Sequence, residues 1–186
     1  MIRIRAATPD DAAQIAAIFA PFVATSAISF ETEPPTTQQM RARIAASKGF
    51  YPWLVATSED EDAILGYAFA TSFRDRPAYR YVVETAIYIA GDIKRKGVGR
   101  LLYEALIDTL RAQDFTQAIS GISLPDDALI SLHESLGFRR AGVYRAVGYK
   151  HGEWRDVGFW QLELAKADNP PMDPKPFSEV GLVRED

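Results

Sequence analysis

The sequence has no cysteine, which excludes disulfides, thiolate metal sites and a cysteine nucleophile. It has only two histidines, too few for a histidine-built zinc site, so no metal is expected. No apolar run approaches the ~20 residues of a membrane-spanning helix. Met1 leads straight into an alternating segment with no signal-type apolar stretch, and a cytoplasmic protein is expected. Excess positive charge is missing too. Lys and Arg number 21 against 25 Asp and Glu, for a net charge of −4, which argues against a general nucleic-acid binder. Internal repeats and interdomain linkers are absent. What remains is a 186-residue chain, 47% hydrophobic, enough for the core of one compact domain.

The most informative stretch is Tyr81–Gly99, YVVETAIYIAGDIKRKGVG. Tyr81–Ala90 is almost wholly apolar and rich in β-branched residues, as a central strand requires. Glu84 is the only charge in that run, and a buried carboxylate is costly unless paired or used. By alternation it shares a face with Val82, Ala86 and Tyr88. Lys94, Arg95 and Lys96 follow, then Gly97-Val98-Gly99 and a helix carrying Val98, Leu101, Leu102, Ala105 and Leu106 at amphipathic spacing. A helix N-terminus with glycines and cations suits a phosphate, because free N–H groups and the dipole end favour an anion. The pattern is neither G-x-G-x-x-G, since Leu102 takes the last place, nor a P-loop ending in G-K-[ST]. Two readings stand for the loop: an anion site, or a solvated basic turn.

Strands and helices alternate along the rest of the chain. Ile2–Arg5 is a short strand. Thr8-Pro9-Asp10-Asp11 starts a helix whose apolar stripe is Ile15, Ile18, Phe19 and Phe22. Thr25–Pro35 is a loop carrying Phe30, and Thr36 or Thr37 caps a second helix reaching to about Lys48. Trp53–Thr57 and Ile64–Thr71 read as strands joined by an acidic turn at Asp60–Asp62. The cation-rich loop Arg74–Arg80 reads as either a solvated connection or part of a site, since it directly precedes the central strand. Gln117–Leu124 is a strand. Pro125-Asp126-Asp127 starts a helix ending at Gly137, with Leu129, Leu132 and Leu136 inward. His133 lies one residue from that stripe, as a half-buried polar residue or a catalytic one. Phe138–Leu164 holds two strands joined through Gly148–Asp156, with Gly152 as turn residue. Residues 167–186 read as an extended, proline-rich tail that does not pack as a helix, leaving a domain over 1–166.

The ordered set SFETEPPT (29–36), RPAY (76–79), ETAIYI (84–89), LHESLGF (132–138) and GYKHGEWRDVGFWQLEL (148–164) resembles the GNAT acetyltransferase superfamily. Within it, the set is most similar to phosphinothricin and methionine sulfone or sulfoximine N-acetyltransferases. The resemblance covers residues 2–164, and Lys94–Gly99 takes the place of the superfamily motif R/Q-x-x-G-x-G/A. It implies an α/β (α+β) fold with a mostly antiparallel sheet of about seven strands, about four flanking helices and a splay between two parallel central strands. It implies acetyl-CoA as cosubstrate, its pantetheine along Ile87, Tyr88 and Ile89 and its pyrophosphate on Arg95 through Arg100, with Lys94, Lys96, Gly97, Val98, Gly99 and Asp126 also cofactor-binding. Asp126 departs from the usual Asn, which could donate a hydrogen bond where an ionised Asp only accepts. Leu129 stands where serine is common, and Val82 where close relatives often have threonine.

The chemistry implied is acyl transfer to an amine. The amine must lose a proton, the thioester carbonyl must be polarised and the thiolate must be stabilised as it leaves. Glu84 is the candidate base, with a carboxylate merely paired to a loop arginine as the alternative. His133 is the candidate acid, and a strand N–H near Tyr88 the oxyanion donor. The implied acceptor is a small amino acid with an extra polar head, gripped by Arg74, Arg76 and Lys150 between Tyr79 and Phe30. A homodimer is implied as well. The rival classes are an acetyltransferase of protein N-termini or lysines, and a CoA-binding domain without catalysis.

Overall fold

The computed structural model describes residues 2–58, 63–91, 93 and 97–183. The Asp60–Asp62 turn and Lys94, Arg95 and Lys96 lie outside the described residues. In chain order the elements are β1 (Ile2–Ala6), α1 (Ala12–Ala24), α2 (Thr37–Ala46), β2 (Trp53–Ser58), β3 (Ile64–Ser72) and β4 (Val82–Ile89). They continue with α3 (Val98–Ala112), β5 (Gln117–Ser123), α4 (Asp127–Ser135), β6 (Arg139–Lys150), β7 (Glu153–Glu163) and α5 (Phe177–Val180). Short 3-10 turns cover Pro9–Asp11 and Pro77–Tyr79.

Local chemistry sets the helix starts. The Asp11 carboxylate accepts from the Thr8 N–H at 2.7 Å and takes a forked pair of 2.8 Å bonds from Arg5, tying β1 to the entry of α1. That guanidinium, with the Thr8 bonds, holds the Asp11 carboxyl below its usual range despite burial. Thr36 and Gln39 close a reciprocal capping box at α2.

The seven strands form one sheet in the order β1-β2-β3-β4-β5-β7-β6. Every neighbouring pair is antiparallel except β4 and β5. Strand alternation separates two cores. Leu54, Ala56, Ala68, Val83 and Ile87 point toward α3, joining Leu102, Tyr103, Leu106 and Leu110. Trp53, Val55 and Tyr67 point the other way, toward Ile15, Phe19, Val23 and Met40 of α1 and α2. Leu101, expected on the apolar face of α3, is 47% exposed, and Tyr103 takes the buried place.

Two expectations need correction. The turn of the last hairpin is confined to His151 and Gly152, both at positive φ (52° and 76°), so Gly148–Lys150 and Glu153–Asp156 are paired strand. The tail is not wholly extended. Its prolines keep it open as far as Pro176, after which Phe177–Val180 makes a helical turn. Phe177 and Leu182 pack on the α3 core, and the buried Gln113 Nε2 donates to the carbonyls of Phe50 and Lys175, both at 2.8 Å.

Candidate active site

The parallel pairing of β4 with β5 lasts three residues, Val82 to Gln117, Val83 to Ala118 and Glu84 to Ile119. Beyond it, Ser120–Ser123 pair only with β7, and Thr85–Ile89 pair with β3 alone. One edge of β4 is therefore open where the strands part. A cleft of about 590 Å³ runs from that opening between β4, the start of α3 and α4. Ile87, Tyr88, Ile89, Gly97, Gly99, Arg100, Asp126 and Leu132 are among its lining residues.

Gly97 caps α3 at φ 77°, a conformation that favours glycine, and a Cβ there would meet nothing within 4 Å. Among the described residues nothing crowds Gly97, next to the first free N–H groups of the helix. Arg100 borders the cleft and is held by Glu104 at 2.8 Å. An open strand edge, apolar walls and an anion-favouring helix end suit a long ligand with an amide-bearing arm and a phosphate head. These features fit acetyl-CoA. Asp126 is the N-cap of α4, its Oδ1 accepting from the Leu129 N–H at 3.0 Å. A carboxylate serves that role without donating, which gives the residue a local use in place of an Asn donor.

Glu84 stands at the point of parting, on the α1–α2 face of the sheet, close enough to β5 that a Cβ on Gly121 would lie 3.9 Å from its Oε1. Among the described residues no side chain hydrogen-bonds to it or forms an ion pair with it. Burial raises its carboxyl above the usual range, against the opposing charge of Arg74. Arg74 itself bonds the Phe73 carbonyl and lies over the Phe73 ring, so it influences Glu84 through space without an ion pair.

His133 lies on the opposite face, 1% exposed, with Tyr103, Thr85 and Ser120. Its Nδ1 is 2.8 Å from the Leu129 carbonyl, its Nε2 is 3.0 Å from the Tyr103 hydroxyl, and that hydroxyl is 2.6 Å from Thr85 Oγ1. Burial lowers the imidazole's pKa, partly offset by the Leu129 bond and the Asp126 charge, so the neutral ring is favoured. A carbonyl can only accept, so the neutral ring carries its proton on Nδ1. Nε2 then accepts from Tyr103, which in turn accepts from Thr85. His133 and Ser120 also border a small void of about 30 Å³ shared with Ala86, Tyr88 and Gly121, connecting this chain of bonds to the parting strands.

The expected acceptor residues separate into two groups. Arg74, Arg76 and Tyr79 share the exposed loop before β4, Tyr79 packing edge-on against Phe73. Lys150 is 7% exposed and donates to the Ser29 carbonyl at 2.7 Å, fixing the last hairpin to the loop after α1. Phe30 lies against Gly148 so closely that any Cβ there would collide with its ring. Sequence reasoning missed Thr85, Tyr103 and Ser120. A tyrosine beside Leu102 on a buried helix face was the one available signal, because a buried hydroxyl needs a partner.

The sequence profile described as Acetyltransferase (GNAT) domain matches residues 4–158. The chain belongs to the GNAT acetyltransferase family. This GNAT enzyme is 38% identical to a phosphinothricin N-acetyltransferase of Streptomyces viridochromogenes over 179 residues, 96% of each chain. It is 36% identical to an L-methionine sulfoximine/L-methionine sulfone acetyltransferase of Pseudomonas paraeruginosa, covering 79% of this chain and 85% of that one. Among solved structures, a phosphinothricin acetyltransferase from Sinorhizobium meliloti in complex with AcCoA superposes with a TM-score of 0.84 at 34% identity, over 99% of both chains. The seven-stranded sheet and the parallel β4–β5 pair agree with the GNAT fold expected from the motifs.

Proposed function

We propose that this GNAT enzyme uses acetyl-CoA to N-acetylate a small amino acid of the phosphinothricin or methionine sulfone/sulfoximine type, by direct transfer with Glu84 as base. The observation that carries the reading is Glu84 itself, a half-buried carboxylate with no hydrogen-bond or ion-pair partner among the described residues, standing where β4 and β5 part. A raised pKa suits a group that must take a proton near neutrality. The names of the relatives support the acceptor class.

Acetyl-CoA, when bound, supplies an acyl group already activated as a thioester. The chain does the rest. Gly97–Arg100 and the α3 N-terminus receive the phosphates, with Lys94, Arg95 and Lys96 preceding them in sequence. The open edge at Ile87–Ile89 aligns the arm, and a strand N–H near Tyr88 serves as oxyanion donor. Asp126, the α4 cap, borders the arm. Arg74, Arg76 and Tyr79 receive the acceptor's anionic groups, and Glu84 removes the amine proton. Lys150 and Phe30 hold the loop after α1 in place. His133 acts by positioning, its Nε2 fixing the Tyr103 hydroxyl and through it Thr85 on the parting strand, rather than as a free acid. The exposed Tyr144, Val147, Tyr149 and Trp154 on the last hairpin suit a homodimer contact. Acetyl-CoA as cosubstrate fits a cytoplasmic setting.

Glu84→Gln tests the reading. Free-thiol release from acetyl-CoA with methionine sulfone should fall roughly 10²–10⁴-fold in kcat. The protein should still fold and bind acetyl-CoA. Near-normal turnover in this variant would remove Glu84 from the chemistry.

A further inference from the structure

The tail after β7 is tied to the loop that precedes β4. Asp173 Oδ1 accepts from Arg80 Nε at 2.9 Å and lies 3.4 Å from the Tyr81 hydroxyl. The Arg80 guanidinium lies over the Tyr81 ring at 4.4 Å, and its Nη1 donates to the Pro77 carbonyl at 3.2 Å. That carbonyl belongs to the 3-10 turn Pro77–Tyr79, whose N-cap is Arg76. Among the described residues, Arg80 to Asp173 is the only hydrogen bond between the Arg74–Arg80 loop and a segment distant in sequence. The GNAT profile ends at residue 158, so the tail's half of this contact lies beyond it.

A tie between exposed ions is weak when both partners are loose, because two mobile side chains must be ordered to make it. Here the acidic partner stands on a stiff support. Pro174 restricts the backbone of Asp173, and Pro176 follows two residues later. Between the prolines Lys175 is clamped from both sides. Its N–H donates to the Gln113 carbonyl and its carbonyl accepts from the Nε2 of the buried Gln113, both at 2.8 Å. Its Nζ pairs with Asp114 at 2.8 Å. The Phe177 and Ser178 N–H groups then donate to the Phe50 and Gly49 carbonyls at 3.1 and 2.8 Å. The tail is thus a strap fixed at the C-terminal end of α3, and Asp173 is the short carboxylate it holds out to the loop.

We propose that Asp173 is a positioning residue for the acceptor: through Arg80 it holds the turn that presents Arg76 and Tyr79. The inference rests on the proposed function, which sets the acceptor's anionic groups on Arg74, Arg76 and Tyr79, and it adds a residue that acts through another side chain. With the loop held, the acceptor meets donors already in place, and binding does not have to order them. The strap does not reach the donor cleft, because none of the cleft's described lining residues belongs to the loop or the tail. Loss of the strap should therefore weaken acceptor binding and spare donor binding.

Two measurements on the full-length chain test it. The first is free-thiol release from acetyl-CoA with methionine sulfone. Asp173→Ala should raise the KM for methionine sulfone about 3–5-fold and leave the KM for acetyl-CoA and the Tm close to wild type. Asp173→Asn, which can still accept from Arg80, should recover part of the loss. Arg80→Ala should give a similar rise, and the double variant should add little to it. The second is limited trypsin digestion without substrate. Trypsin cuts after Arg74 and Arg80, whereas Arg76 precedes a proline, and nicking at those two bonds should be about 3–5-fold faster in Asp173→Ala. An unchanged acceptor KM or unchanged nicking in Asp173→Ala overturns the inference and leaves the proposed function standing. So does an equal rise in both KM values or a Tm several degrees lower, the mark of a merely structural contact. If the wild type acetylates no amino-acid acceptor, the proposed function fails, and the nicking rates alone decide whether the strap holds the loop.

Discussion

Tyr103→Phe removes one oxygen from the centre of the α3 core and nothing else. The hydroxyl it deletes bridges Thr85 Oγ1 at 2.6 Å and His133 Nε2 at 3.0 Å. Both partners are almost fully buried, Thr85 at 3% and His133 at 1% exposure. The ring itself stays, stacked on Phe138 at 5.6 Å, so packing is conserved and the loss is polar. Leaving a buried donor or acceptor unsatisfied costs about 1–3 kcal/mol each, so two orphaned groups put the destabilisation at about 2–4 kcal/mol after partial rearrangement. For a chain of this size that lowers Tm by about 5–15 °C. Scanning calorimetry of wild type and variant at pH 7.5 measures it. Steady-state kinetics on the folded variant add a second readout. With the imidazole no longer held by Tyr103, kcat should fall while the KM for acetyl-CoA stays close to wild type. A Tm within about 1 °C of wild type would refute the bonded chain, and unchanged kcat would confine it to folding.

Other outcomes follow from the same geometry. Gly97→Val would place a branched side chain at a positive φ beside the path to the α3 N-terminus, so acetyl-CoA affinity by calorimetry should drop steeply in a folded variant; unchanged affinity would misplace the phosphate site. His133 has a folded pKa below its unfolded value of about 6.5. Its neutral form therefore contributes stability that is complete above that value and is lost as pH falls below it toward the lowered folded pKa. Denaturant midpoints at pH 7.5 and 5.5 should differ more in wild type than in His133→Gln, and equal differences would contradict a buried neutral ring. Light scattering should give a dimer mass that Trp154→Glu converts to a monomer; a wild-type monomer at all concentrations would sink the hairpin contact.

Much of the architecture was legible because it is local. Alternation marked β4 and β7, and caps marked α1 and α2. Glu84 stood out as the only charge in an apolar strand, and among the described residues it has no hydrogen-bond or ion-pair partner. The glycines at Gly97 and Gly99 identified the helix start facing the cleft. What escaped was long-range. Lys150 reads as a free cation, yet its partner Ser29 lies 121 residues earlier. Tyr103 and Thr85 look like ordinary core and strand residues until α3 and β4 are superposed. The single helical turn at Phe177 is fixed by Phe50 and Gln113, far upstream, while the preceding prolines argue for extension.

The sheet's two separate cores bear on how this enzyme could be re-engineered. The stacked rings of Trp53, Tyr67 and Phe69 lie on one side of the strands, with Glu84, and the Thr85–Tyr103–His133 bonds on the other. Residues without shared neighbours tend to contribute additively. Libraries that reshape acceptor choice on the α1–α2 side can thus be screened apart from changes that restore stability on the α3 side, then combined. Tyr88 is the exception, since it stacks on Tyr67 and also borders the donor cleft, and substitutions there should be epistatic with either set.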